Sequence, residues 1–365
     1  MMKKIMTAGF WALVLLPNLL FPLVKESGDG GSGENRALAP FPVFSRDTYE
    51  EYPAAVNRYI NDHAAFRNLF LSVNSVLNLK LFGYADSQDV IVGKDGWYFF
   101  AGGMSLYDAL GTEPFYPDDV AGIGSRIIQA ADYYESQGIS FLMMIAPNKE
   151  GIYREYMPEC YERVWDGNRP RQLEEYIREH SSVTVLDPRE YFNTNRDYLW
   201  YYKTDTHWNS AGGYAASQML IEALGGTPVP IEDVTVEYVP GGPGDLANLF
   251  HLPEEYCDDK TAVVKGFHDN LKTGVEDVNG DMNIVHTTTP DAPDGRRIAV
   301  IRDSFGTALM DKLPKYFKHV DFYHWQALEP SLLEENPPDA VVYLIVERDL
   351  TRVPKDVEKM APGQQ

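Results

Sequence analysis

The stretch "ISFLMMIAP", residues 139–147, is apolar almost throughout and short enough to be one strand. It lacks the alternate polar positions that mark a face turned to water, so it must be covered on both faces. Just upstream, "PDDVAGIGSRIIQAADYYESQG" (117–138) opens on Pro-Asp-Asp, carries Val120, Ile123, Ile127 and Tyr134 at helical spacing, and stops at Gly138. The alternation continues with a helix in "RPRQLEEYIREH" (169–180), a strand "SVTVLD" (182–187), and a helix from Ser210 to about Leu224 capped by Asn209 or Ser210. It resumes later with strand "RIAVIRD" (297–303), helix "FGTALMDKLPKYF" (305–317), strand "HVDFYHW" (319–325) and strand "DAVVYLIVE" (339–347). This order predicts an α/β fold with a mostly parallel sheet and flanking helices on both faces. In such sheets, chemistry collects beyond the carboxyl ends of the strands.

Outside this alternation, residues 45–83 carry Tyr59, Ile60, Phe66, Leu69 and Phe70 at helical spacing and are expected to be helical, docking on the downstream part of the domain. "DVIVGKDGWYFFAGG" (89–103) reads as a hairpin around Lys-Asp-Gly. Residues 225–295 read as an insertion of turns and short strands.

Before the domain, "IMTAGFWALVLLPNLLFPLV" (5–24) is an uncharged apolar run preceded by Lys3 and Lys4, and about 20 such residues suffice to cross a bilayer. A Gly/Ser-rich spacer, "KESGDGGSGENRALAP", occupies 25–40. The run is read as an uncleaved anchor, with a cleaved signal peptide as the alternative, and the lysines on its short side leave the bulk of the chain outside the cytoplasm. The expected organisation is a signal or anchor segment with its spacer over 1–34 and one domain over 35–365.

The 365 residues include 54 acidic against 32 basic ones, a formal charge of -22 without an extended basic run. Nucleic acid, whose backbone demands a positive face, is a poor candidate ligand. Cys160 and Cys257 are the only cysteines, and their spacing leaves open whether they pair. No Cys/His cluster has zinc spacing. "DVNGDMN" (277–283) places Met282 where a calcium loop needs glycine, so it reads as a solvated turn.

Two short segments carry the chemistry. Ser304 comes directly after the apolar strand in "AVIRDSFG" (299–306), at a turn that can present its hydroxyl at the sheet edge as a nucleophile or, alternatively, as a helix cap. In "YYKTDTHWNSAGG" (201–213), Asp205 stands two residues before His207, read as following a strand and preceding a helix. A carboxylate there can hold one imidazole nitrogen and fix the tautomer, leaving the other to act as a base. No phosphate-binding loop or dinucleotide fingerprint competes for the site.

"RDSF" (302–305) resembles the Gly-Asp-Ser block of SGNH hydrolases, and "DTHWNSAGGY" (205–214) resembles their Asp-x-x-His block shortened by one. The serine block comes second instead of leading, which looks like the circular permutation of the alginate O-acetyltransferase AlgJ/AlgX family and related DHHW-type proteins. "ENRALAPFP" (34–42), "YINDHAAFR" (59–67), "VGKDGWYFF" (92–100), "APNKEGIYREYMP" (146–158) and "GDLANL" (244–249) are similar to that family's recurring segments.

The resemblance implies Ser304 as nucleophile, His207 as base and Asp205 as its orienting acid, with Trp208 and Asn209 completing the signature. Arg302 stands where other SGNH enzymes have glycine, and Glu347-Arg348 where they have an oxyanion block. The Ser304 amide is one expected oxyanion donor, with Asn148, Lys149 and Arg348 as further candidates and Trp208 and Arg302 as substrate-side residues. The implied function is extracytoplasmic O-acetylation of a cell-surface or secreted polysaccharide without cofactor or metal. The acetyl group would come from a multipass membrane O-acyltransferase partner. A carbohydrate acetyl esterase and a non-catalytic glycan-binding or assembly protein are the alternatives.

Overall fold

The computed structural model describes residues 2–20, 38–165 and 167–361. In chain order the elements are α1 (Met2–Leu20), α2 (Tyr52–His63), α3 (Arg67–Phe82), β1 (Val90–Val92), β2 (Tyr98–Phe100), α4 (Ser105–Leu110), α5 (Pro117–Glu135), β3 (Ser140–Ala146), α6 (Lys149–Ile152), α7 (Arg169–His180) and β4 (Thr184–Leu186). Then come α8 (Arg189–Thr194), α9 (Ser210–Ala223), β5 (Thr235–Pro240), α10 (Asp245–Leu249), β6 (Lys260–Lys265), β7 (Gly274–Asp277), β8 (Ile284–Thr288) and β9 (Asp294–Arg302). The chain continues through β10 (Phe317–His324), α11 (Pro330–Glu335), β11 (Ala340–Val346) and α12 (Val353–Met360).

Leu and Met favour helices by a few tenths of a kcal/mol per residue, yet Ser140–Ala146 form β3 because burial decides the matter. Met143, Met144 and Ile145 are completely buried, and each such side chain contributes roughly 1.5–3 kcal/mol. Successive residues serve opposite faces: Leu142, Met144 and Ala146 join Phe192 of α8 and Tyr214 and Leu220 of α9. Phe141, Met143 and Ile145 join Ile127 and Tyr134 of α5, Leu173 and Ile177 of α7 and Val357 of α12.

The main sheet runs β4-β3-β11-β9-β10-β8-β7. The pairs from β4 to β10 are parallel, whereas β8 and β7 add an antiparallel edge. The predicted α/β architecture with helices on both faces is therefore present. The predicted hairpin is also present, pairing Val90 with Phe100 and Val92 with Tyr98.

Three expectations need correction. Residues 225–295 are not all an insertion, because β7 and β8 belong to the main sheet and β9 begins at Asp294; the separate ladder is β5–β6. Residues 305–317 form no α-helix but two 3-10 turns, Ser304–Leu309 and Leu313–Lys315, with Pro314 unable to continue an α-helical ladder. The segment before His207 is a bent loop, closed by an isolated bridge between Tyr201 and Trp208, instead of a strand.

At the amino end, α1 covers most of the apolar run, whose residues 21–24 lie outside the described residues. Among the described residues, no helix is long and apolar enough to cross a membrane; α1 includes Lys3, Lys4, Pro17 and Asn18. The helical expectation for 45–83 holds in α2 and α3, but docking falls to Val76 and Leu79, packed against Tyr98, Leu246 and Phe250. Ile60, Leu69 and Phe70 face outward: α3 is apolar on more than one side, so spacing alone does not select its inner stripe. Cys160 and Cys257 are both free.

Because β3, β11 and β9 run parallel, their carboxyl ends meet at one edge. Pro147-Asn148, Glu347-Arg348 and Asp303-Ser304 emerge there side by side.

Candidate active site

The turn after β9 is fastened by Asp303. Its Oδ1 accepts the Phe305 amide at 2.9 Å and its Oδ2 accepts the Val346 amide of β11 at 2.6 Å. The buried Asp303 thus holds the turn down, while the exposed Ser304 stands at the surface. The buried Trp208 indole donates to the Phe305 carbonyl at 2.9 Å, tying the turn to the Asp-x-His segment. α9 comes very close as well: a Cβ at Gly213 would lie 2.5 Å from the Ala308 Cβ and carbonyl oxygen.

The Asp-x-His loop is held from several sides. Asn209 Oδ1 caps α9, accepting from Ala211 and Gly212, the first of the two caps the sequence offers. Asp259 accepts the Lys203 and Thr204 amides at 3.0 and 2.7 Å. Lys149 Nζ donates to the carbonyls of Tyr202, Lys203 and Asp205 at 3.2, 3.0 and 2.6 Å. Thr206 donates its amide and hydroxyl to the two oxygens of Asp245, at 2.7 and 2.6 Å. Gly244 permits that approach, since a Cβ there would sit 2.4 Å from Asp205 Cβ.

These supports bring three groups into line. His207 Nδ1 lies 2.7 Å from Asp205 Oδ1, and His207 Nε2 lies 2.7 Å from Ser304 Oγ. Asp205 also accepts the His207 amide at 2.8 Å and, through Oδ2, the Asp245 amide at 3.0 Å. Burial resists ionisation of Asp205, but its hydrogen bonds from His207 prevail and hold it at about 2. Burial likewise disfavours a charged imidazole, yet Asp205 and the nearby Asp245 outweigh it and raise His207 above its ordinary 6.5. An ionised acid therefore faces an imidazole ready to take a proton from Ser304.

Asp205, His207 and Asp245 also offer ligand-type atoms within 4.8 Å of one another. Those atoms already serve one another, Thr206 and the local amides, so the set is a hydrogen-bonded support for the imidazole. The relay opens into a pocket of about 390 Å³ bordered by Tyr202, Trp208, Phe305, Thr307 and Asp311.

Other sequence candidates fall elsewhere. Asn148 and Lys149 do not reach the pocket as oxyanion donors. Asn148 is buried and gives its side-chain amide to Asp108 at 3.2 Å, and Lys149 is buried under the Asp205 loop with its donors spent on carbonyls. Arg302 is buried beside the turn, donating to the Asp303 carbonyl and to the Met282 carbonyl. Trp208 borders the pocket, but its N–H is committed to Phe305. Arg348 alone of these cations is half-buried at the site, its guanidinium 5.4 Å from the Phe305 ring and 5.2 Å from the Phe100 ring. Sequence reasoning missed Asp245, Asp259 and Asp303; "GDLANL" drew attention to the segment of Asp245 without giving it a role.

Residues 90–265 match the family model for the SGNH hydrolase-like domain of acetyltransferase AlgX. The match bears out the family resemblance and includes Asp205, His207 and Asp245. No curated protein matches the chain significantly. Among solved structures, a DHHW family protein from Eubacterium siraeum is 16% identical, with 74% of this chain and 96% of that chain covered and a TM-score of 0.55. PatB1 of Bacillus cereus is also 16% identical, with coverages of 72% and 97% and a TM-score of 0.56. The O-acetyltransferase domain of Pseudomonas putida AlgJ is 18% identical, with coverages of 72% and 92% and a TM-score of 0.45. The first two likenesses are of fold.

Proposed function

We propose that this chain is an extracytoplasmic O-acetyltransferase that modifies a cell-surface or secreted polysaccharide through an acetyl-enzyme on Ser304. The observation that carries this reading is the continuous Asp205–His207–Ser304 relay, 2.7 Å at each link, opening into a pocket at the carboxyl edge of the sheet. The acetyltransferase family match supports the reaction class.

In the first half-reaction, Ser304 Oγ attacks the carbonyl carbon of an acetyl ester while His207 Nε2 takes its proton. The tetrahedral adduct collapses, the ester bond to the donor breaks, and His207 returns the proton to the leaving oxygen. In the second, His207 takes the proton of a sugar hydroxyl whose oxygen attacks the acetyl-Ser304 carbonyl; the Ser304–acyl bond breaks and Ser304 recovers a proton. The Ser304 amide and the Arg348 guanidinium are the proposed stabilisers of the developing oxyanion. The donor ester is proposed to come from a multipass membrane O-acyltransferase, and the amino-terminal apolar run to act as anchor or signal. The placement of the Asp-x-His block ahead of the serine block supports a circularly permuted SGNH order.

A carbohydrate acetyl esterase is the second reading, favoured by the exposure of Ser304 to water. Intact-mass analysis of the full-length chain with p-nitrophenyl acetate, with and without oligosaccharide, tests both. An acetyl adduct that is absent in Ser304→Ala and moves to sugar supports transfer. Release only as acetate supports the esterase, and no adduct or turnover overturns both.

A further inference from the structure

The chain leaves β11 through a 3-10 helix, Glu347–Arg352, in which residues i and i+3 eclipse and rise about 6 Å. Arg348 and Thr351 therefore lie on one side of that helix. Arg348 stands over Phe305 at the catalytic pocket, whereas Thr351 lines a second cavity of about 450 Å³. Arg169 forms part of the wall between them, bordering the second cavity and donating to the Arg348 carbonyl at 3.4 Å.

The second cavity has the makings of a sugar subsite. Phe115 is buried with the Arg169 guanidinium 5.0 Å from its ring, while the neighbouring Tyr116 is 74% exposed. Glu113, Asp118 and Asp119 supply exposed carboxylates around it. An aromatic surface ringed by acceptors suits a pyranose, which has apolar C–H faces and hydroxyl donors at its edge. The charge narrows the class further. Arg169 is already neutralised by Asp108 through bonds of 2.6 and 2.7 Å, so the cavity, bordered by Glu113, Asp118 and Asp119, is anionic.

Resting on the transferase reading above, we propose that this cavity binds a sugar residue of the acceptor chain beyond the one being acetylated. The acceptor is a neutral or amino-bearing polysaccharide, not a polyuronate.

The test is calorimetric titration of the full-length chain with cellohexaose, a glucosamine hexamer and hexamannuronate, repeated with Tyr116→Ala and Asp118→Lys variants whose circular dichroism matches the parent. The neutral or the amino-bearing hexamer is expected to bind, with affinity reduced about five-fold in Tyr116→Ala, and hexamannuronate is expected to gain affinity in Asp118→Lys. Unchanged affinity in Tyr116→Ala, tighter parental binding of hexamannuronate, or no binding of any hexamer overturns the proposal. Because binding is read without turnover, its failure is distinct from that of the transferase reading, which shows as absence of the acetyl adduct.

Discussion

His207 Nε2 and Ser304 Oγ are 2.7 Å apart although 97 residues separate them in the chain. That distance is maintained by bonds to other groups: Trp208 to the Phe305 carbonyl on one side, and Asp303 to Phe305 and Val346 on the other.

Replacing either member of that contact removes the nucleophile or its base. Ser304→Ala and His207→Ala are each expected to lower kcat for ester turnover by at least about 10⁴-fold. Stopped-flow release of p-nitrophenol checks this, with the thermal transition confirming a folded protein.

The acid limb of the rate profile arises from the raised pKa of His207. The base works as neutral imidazole, so kcat/KM is expected to fall as pH drops through a value above 6.5. Asp205→Asn removes the larger of the two carboxylate influences that raise it, and the limb should move to lower pH while the rate falls about 10⁴-fold. The linked stability has the opposite sign for the two partners. The His207 contribution is full below its unfolded pKa and is lost as pH rises through the folded one. The Asp205 contribution is present above the unfolded 3.8 and is lost as pH falls toward 2. Chemical denaturation across pH measures both.

Lys149 acts as a positioning residue through three carbonyls of the catalytic loop. Lys149→Met keeps the chain volume but leaves the Tyr202 and Asp205 oxygens without this donor, while the Lys203 oxygen keeps the Tyr98 amide at 2.9 Å, at an expected cost of about 2–4 kcal/mol. Urea unfolding measures that cost. Ester turnover should fall with it, and an unchanged transition would remove Lys149 from the support of the loop.

Gly213→Ala would force a methyl group against Ala308, since a Cβ at 213 would lie 2.5 Å from the Ala308 Cβ. The expected destabilisation is about 1–3 kcal/mol, with slower acylation because the turn bearing Ser304 must shift. Adding Ala308→Gly should restore only part of the loss, since the carbonyl of residue 308 stands equally close. A double-mutant cycle on unfolding free energy reads the coupling.

The main sheet was legible wherever both faces of a strand are buried, as in β3 and β11 with their unbroken apolar runs. The polar, exposed β7 offered no such signal, and its pairing with β8 depends on partners distant in the chain. The hydrogen-bonded trio was legible because Asp205 and His207 are two residues apart in sequence and Ser304 follows an apolar strand. Asp245, Asp259 and Asp303 were not, because each acts by accepting backbone amides that only the folded chain brings within reach. Lys149 was misread for a related reason: its place after β3 put it near the right edge, and three carbonyls on the far side of the loop determine which way its ammonium points.

The position of β11 also bears on biosynthesis. It lies between β3 and β9 although it comes after both in sequence. A nascent chain that has emerged only as far as Ser304 already contains Asp205, His207 and Ser304 but lacks β11 between β3 and β9, and with it Arg348. Such long-range pairing delays assembly of the core. The Val346 amide that anchors Asp303 arrives with that strand. Emerging chains should therefore stay inert as acyl acceptors, and competence should appear only once residues beyond 346 have been delivered.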